Sequence, residues 1–312
     1  MPCVTDLPTL PQAHWQHLAG HYVMQVRQWT LPFRQRRKKG KSHPVDDFLF
    51  VYYRYSSGQL ENWHPGFDRR LVCPGGVPNA FSKHPYNVSD SIVYLDPTLV
   101  DEKVKQRLLW TADLLRQTET RKGNFSCLGL HEWAMVYRGN EVRHEKTTPL
   151  RLSQQEIDRI VESRPLTCTH FDAFRFYDLN AKPLNRHQPT LESRPELEQP
   201  ACIHANMDLY KWAFKSMPWI GSDLLLRCFR LALFAREIDM RASPYDLSSY
   251  GDYEPIFIET ARGRAQYEQL QREIADRAAP LRRELIERIE SVLDYLSSDS
   301  ESHCSNLSLI HI

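Results

Sequence analysis

Residues 199–246, QPACIHANMDLYKWAFKSMPWIGSDLLLRCFRLALFAREIDMRASPYD, limit what the chain can fold into more than any other stretch. Two apolar helical patterns carry polar groups on positions where packing alone would favour hydrocarbon. In the first, His204 and Asp208 are four apart and share one helix face. Asn206 lies between them, and Tyr210, Lys211 and Trp212 follow. Pro218 and Gly221 break the pattern, and Ser222 is placed to cap the second helix. That helix repeats Leu224, Leu225, Cys228, Leu231, Ala232, Ala235 and Ile238 with a period of 3.6, the stripe of a core-facing element. It ends in Arg236, Glu237, Asp239 and Arg241. A carboxylate drawn toward a core must be paired or have a task. Asp239 is therefore either matched with Arg236 or Arg241 or part of a site.

At 312 residues the chain has room for one large domain or two small ones. Lys plus Arg (40) nearly balances Asp plus Glu (39), so any attraction to nucleic acid must come from local clustering. The seven cysteines (3, 73, 127, 168, 202, 228 and 304) are scattered and lack C-x-x-C spacing, which argues against a disulfide framework or structural zinc and for a reducing compartment. No secretory signal or membrane span is visible. The expectation is a cytoplasmic protein, mainly α with a small β component (α+β), as a single domain over 9–296. The oligomeric state is left open.

In chain order, Trp15, Leu18, Tyr22, Val26 and Trp29 predict a helix over 9–30 that Pro32 ends. Residues 34–41 follow with six positive charges in eight, read as an exposed loop or frayed helix end. Such a run is either a solvated face or a nucleic-acid patch. Pro44-Val45-Asp46-Asp47 then reads as a helix start with acids on the positive dipole end, or as a carboxylate held beside a phosphate-binding loop. Residues 57–95 read as a long irregular stretch. A helix is expected from Asp96-Pro97 to about Glu119. His131-Glu132 lies in the apolar segment 125–138, either as a satisfied core pair or as a catalytic one. Position 135 is Met, so the H-E-x-x-H zinc pattern fails. Ser153 and Glu156 have capping-box spacing for a helix to Ser163. Leu166 to Phe176 alternates as a strand would, with His170 and Asp172 among aromatics. Residues 178–200 read as a loop, Tyr253 to Thr260 as a short strand, and 264–297 as a long charged helix. Leu270, Ile274, Leu281, Leu285, Ile289 and Leu293 line one side of that helix, and Pro280 kinks or splits it. From Ser297 the composition predicts disorder, and the final LSLIHI is set aside as an extraneous tail.

No P-loop, G-x-G-x-x-G, G-x-S-x-G or zinc-deaminase motif occurs. A basic segment, many aromatics near acids, and His, Asp and Glu sites without metal spacing suit acid–base hydrolysis of a stacked substrate. The strings HPVDDFLFVYYRY (43–55), WHPG (63–66), GLHEWAMVYR (129–138), HFDAFRFY (170–177), QPACIHANMDLYKWA (199–213) and REIDMRASPYDLS (236–248) resemble a bacterial family commonly labelled 3-methyladenine DNA glycosylase. The resemblance covers roughly residues 12–290, without a helix-hairpin-helix Gly/Pro loop followed by a catalytic Asp. It extends to anti-phage DNA glycosylases that attack glucosylated hydroxymethylcytosine.

The resemblance implies a monofunctional enzyme that flips a modified base from DNA and hydrolyses its N-glycosidic bond, leaving an abasic site. A carboxylate must stabilise the cationic sugar, and Asp208 and Asp47 are the leading candidates, with Asp239 behind them. Tyr52, Tyr53, His131, Trp133, His170, Asn206 and Tyr210 are expected to line the base pocket. Arg36, Arg37, Lys38, Lys39, Lys41 and His43 are expected to hold DNA phosphates. No metal or other cofactor is expected, and no lysine stands out as a Schiff-base nucleophile. A non-catalytic nucleic-acid-binding protein and a hydrolase of free nucleosides or nucleotides are the alternatives.

Overall fold

Pro32 lies inside the first helix and does not end it. The structure, a computed structural model, describes residues 6–139 and 148–307, with side chains as far as Ser297. Helix α1 spans Gln12–Lys38 and buries Trp15, Tyr22, Val26, Thr30 and Phe33 along one side. An internal proline removes a hydrogen bond and crowds the preceding turn, a cost of about 3 kcal/mol. Contacts beyond it offset that cost. Phe33 stacks on Phe50 at 4.6 Å, Arg34 pairs with Glu61, and Arg36 Nε donates to Asp47 Oδ1 at 2.9 Å. Of the two readings of the basic run, loop or helix end, the helix end holds, with the helix continuing as far as Lys38. Its Arg36 is bound inward, while Arg37, Lys38, Lys39 and Lys41 are exposed.

Helix α2 (Phe48–Tyr52) starts after Asp47. Asp47 makes no cap hydrogen bond to that helix, because its Oδ2 accepts from the His43 backbone N–H at 2.9 Å and its Oδ1 is held by Arg36. Helix α3 (Ser57–Glu61) is closed by a reciprocal capping box between Ser56 and Gln59. The supposedly irregular stretch after it carries the sheet. Strands β1 (Thr9–Leu10), β2 (Arg70–Val72), β3 (Tyr86–Ser89) and β4 (Ile92–Leu95) lie in the order β1-β2-β4-β3. Strand β1 runs parallel to β2, and the other pairs are antiparallel. Leu71 faces Val93 across the centre, and both are fully buried.

Helix α4 (Glu102–Thr120) is capped by Asp101, and Asp96-Pro97 opens only a 3-10 turn before it. Helices α5 (Leu130–Ala134) and α6 (Gln154–Glu162) follow, α6 with the expected Ser153–Glu156 capping box. No strand forms at 166–176. The chain is extended there, with one bridge from Leu166 to Asn185, and then turns into α7 (Phe171–Phe174). A second expected strand, 253–260, finds no partner and stays irregular. Helix α8 (Arg194–Leu197) interrupts the predicted loop.

Helix α9 (Ile203–Lys215) is buried nearly all round, Asn206, Asp208 and Tyr210 included, as befits the central element of a helical fold. It packs chiefly on α10 (Ser222–Arg241) and α11 (Ala261–Leu307). Gly221, not Ser222, is the N-cap of α10. Its φ is +78°, and a Cβ there would meet Pro65 O at 3.1 Å, so only glycine fits. Ser222 Oγ instead accepts the His64 backbone N–H at 2.9 Å. Pro280 sits within α11 without splitting it, and the backbone remains helical from Ser297 to Leu307. Residues 308–312 lie outside the described residues. Buried apolar side chains from Trp15 to Leu293 form one cluster. Among the described residues no helix is long and apolar enough to cross a membrane, and Cys73, Cys127, Cys168, Cys202 and Cys228 are free thiols.

The inward role of Arg36 is testable by unfolding in urea. Asp47 is 3% exposed, so Arg36→Ala strands a buried charge and is expected to cost about 2 kcal/mol, discounted from the fully buried case because Arg36 keeps some contact with water. Lys38→Ala should change stability by less than about 0.5 kcal/mol. Equal effects of the two would contradict this picture.

Candidate functional site

Asp208 is the hub of a charge network that draws on four short pieces of chain. Its Oδ1 accepts from Tyr53 Oη at 2.7 Å, at the end of α2. Its Oδ2 accepts from Arg194 Nη2 of α8 at 2.9 Å and from Lys211 Nζ, one turn along α9, at 3.0 Å. Lys211 Nζ also donates to Asp172 Oδ2 of α7 at 2.8 Å, and Arg194 Nε to Glu198 Oε1 at 2.7 Å. His170 Nε2 stands 3.4 Å from both Asp208 Oδ2 and Glu198 Oε1. Neither contact is aligned as a hydrogen bond, and both ring nitrogens are buried without a partner.

Opposed charges keep Asp208, Asp172 and Lys211 ionised despite burial. Burial opposes a charge on Asp208, but Lys211, His170 and Arg194 outweigh it and hold the carboxyl well below its usual range. Asp172 is likewise lowered, burial being overcome by Lys211. Burial alone would lower Lys211, yet Asp208 and Asp172 hold its ammonium above the ordinary lysine value, against the opposing charge of Arg194. Tyr53 is pushed well up by burial and then by Asp208, so it remains a donor.

Aromatic rings border this network. Phe48 and Tyr52 stack at 5.0 Å, Tyr52 lies 6.4 Å from Phe176, and the Arg175 guanidinium covers Phe176 at 4.5 Å. Phe48, Tyr52, Tyr53, Asp172, Phe176 and Lys211 all keep part of their surface open. These rings and charges stand side by side at a partly open surface, where a flat substrate can stack beside a carboxylate–ammonium pair.

A second buried cluster lies next to it. His131 Nε2 and Asp239 Oδ1 are 2.7 Å apart, and Arg236 Nη1 reaches Glu132 Oε1 at 3.1 Å and Asp239 Oδ2 at 3.4 Å. Of the two partners the sequence allows for Asp239, Arg236 is present, while Arg241 is bound to Glu237. Burial works against the His131 imidazolium, but Asp239 and Cys127 raise it well above the usual histidine range. Arg236 also lies over Phe48 at 3.8 Å. His204 joins the clusters, its ring 4.5 Å from His131 and 5.5 Å from His170.

Tyr52, Tyr53, His131, His170, Asp208 and Asp239 are therefore gathered into adjoining clusters. Trp133 belongs to the core, with its Nε1–H bonded to Ala242 O. Asn206 is fully buried and holds Pro200 O and Arg282. Tyr210 is buried among Tyr53, Tyr55, Phe214 and Phe229. Asp47 ties Arg36 to the start of α2, and His43 Nε2 contacts Tyr250 O at 3.1 Å. Sequence reading did not single out Arg194, on a helix of four residues, or Glu198 just after it, nor give Lys211 and Asp172 a site role. The i,i+3 spacing of Asp208 and Lys211 was the available signal. A cavity of about 820 Å³ forms a wide groove beside α1 lined by Trp15, Met24, Leu31, Trp63 and Phe81. Its only charged lining residues, Arg27 and Glu61, are paired with each other, so it lacks acid–base chemistry.

Replacing Asp208 by Asn should cost about 3 kcal/mol at neutral pH, because two cations lose their shared buried partner. Its folded-state value lies below the ordinary 3.8, so the carboxylate's contribution is complete above about pH 4 and is lost as the pH falls through the folded value. Urea unfolding across the acid range should show the wild type and Asp208→Asn converging below about pH 4. A constant difference down to about pH 2 would contradict this. Compared with known proteins, the chain matches no family model, no curated protein and no solved structure.

Proposed function

We propose that the protein is a DNA N-glycosylase that hydrolyses the bond between deoxyribose and a modified base turned out of the helix. The observation that carries this reading is the ionised Asp172–Lys211–Asp208 chain lying against the Phe48, Tyr52 and Phe176 rings. Breaking an N-glycosidic bond builds positive charge on the sugar, which a fixed carboxylate stabilises. Both oxygens of Asp208 are already engaged by Tyr53, Arg194 and Lys211. Asp172 keeps part of its surface open. Its Oδ2 is held by Lys211 and Arg194, while its Oδ1 is met, among the described residues, only by the exposed Arg175 at 3.2 Å, which the sugar displaces. Asp208 positions Lys211 and Tyr53 behind it.

The bound base stacks on Tyr52 with Phe176 tilted against its edge, as an extruded base is held in an aromatic pocket. Helix α2 has five residues and spans about 7.5 Å, and it links Tyr52 to the basic end of α1 through Asp47 and Arg36. Arg37, Lys38, Lys39 and Lys41 are exposed there and supply sequence-blind phosphate contacts. Asp208 and Asp172 keep Lys211 as an ammonium, which is not a Schiff-base nucleophile, so the product is an intact abasic site. An alkylated base and a bulky modification such as glucosylated hydroxymethylcytosine are the substrate classes to compare.

The test is mass spectrometry of bases released from DNAs carrying these modifications. A free modified base should appear, with strand breaks only after alkali. Asp172→Asn should slow release on the order of 100-fold or more while DNA binding persists. Failure to release any base, or a normal rate in Asp172→Asn, would contradict the proposal.

A further inference from the structure

Three side chains from separate helices converge beside the Asp208 network: His131 on α5, His204 on α9 and Asp239 on α10. One nitrogen or oxygen of each lies within 4.8 Å of the others. We propose that His131 Nε2, Asp239 Oδ1 and a ring nitrogen of His204 form a binding site for one divalent metal ion of the zinc class. This inference does not depend on the glycosylase reading.

Two imidazoles and one carboxylate are a donor set that zinc takes readily, leaving a fourth position for water. Tetrahedral zinc sets neighbouring ligand atoms roughly 3.3 Å apart. The His131–Asp239 hydrogen bond of 2.7 Å opens slightly to admit the ion, and the wider separations close by about 1.5 Å or less, a motion within reach of side-chain rotation. The outer groups already fix the ligands in suitable directions. Arg236 Nη1 holds Asp239 by Oδ2 at 3.4 Å and leaves Oδ1 facing the centre. Cys127 Sγ lies 3.4 Å from His131 Nδ1, so Nε2 is the nitrogen turned inward. Such support on the far atom of each ligand is a regular part of metal sites.

His204 is the informative member. Its recorded contacts are with the His131 and His170 rings, and no hydrogen bond to its ring nitrogens occurs among the described residues. Its side chain keeps some exposure while His131 and Asp239 are buried, which gives an ion and its water a way in. The neighbouring set of His170, Glu198 and Asp208 satisfies the same spacing but suits a cation poorly. Arg194 already occupies Glu198 Oε1, and Arg194 and Lys211 occupy Asp208 Oδ2. In the proposed site Arg236 sits on the far oxygen of Asp239, and the proton that His131 shares with Asp239 leaves to solvent as the ion binds.

The experiment uses the full chain, stripped by a chelator and then titrated with zinc or cobalt(II) chloride. One equivalent should bind, and cobalt should give the visible absorption of a four-coordinate ion. His204→Ala, which removes no hydrogen bond, should melt like the wild type and weaken binding roughly 100-fold or more. The exposed pair His17 and His21 on α1 is the competing locus, so His21→Ala should leave affinity unchanged. Absence of stoichiometric binding, retention of binding in His204→Ala, or its loss in His21→Ala would each overturn the proposal.

Discussion

Charge buried on α9 is the constraint around which the centre of this protein is arranged. Asp208 is 1% exposed, and a lone carboxylate at that depth would be costly enough to neutralise or unfold the site. Arg194 and Lys211 remove that cost, and Asp172 and Glu198 in turn balance them. The partners come from α7 and α8, of four residues each, and from the end of α2, of five. Helical turns this short do not persist on their own, and Leu49, Phe50, Ala173 and Phe174 anchor two of them in the core. The ion pairs add fixed polar contacts to α9, so the aromatic border and the charge network are one construction.

The same logic governs the basic end of α1. Six cations in eight residues suggest a uniform phosphate-binding surface, but burial divides them. Arg34 and Arg36 are bound to Glu61 and Asp47, and these contacts hold the helix together beyond Pro32. The cations left exposed are presented from a helix end tied to α2. Any polyanion held there is therefore held at a set distance from Tyr52.

Elements whose pattern repeats within a few residues of itself were legible in the sequence. The α9–α10 break at Pro218–Gly221, the capping box at Ser153 and the apolar stripe of α11 all arise from local periodicity and local hydrogen bonds. The sheet was not, because strands of two to four residues carry no usable period and depend on distant partners, as Thr9 does on Arg70. Leu166 to Phe176 misleads for the complementary reason. It alternates, yet no strand is available beyond the bridge to Asn185, and the segment closes into α7. In the candidate site, the acids and histidines were visible as residues out of place in apolar helices. Their partners were not, since Asp172, Arg194 and Glu198 reach α9 and one another only through the fold.

Whether the Asp208 network positions these elements is tested most directly by a double-mutant cycle in urea unfolding with Asp208→Asn and Arg194→Met. If the pair is coupled as its geometry requires, the double variant should be more stable than the sum of the single losses by about 2 kcal/mol or more. Additivity within about 0.3–0.5 kcal/mol would mean that the two side chains act independently, and that the short helices are held by something other than the charge on α9.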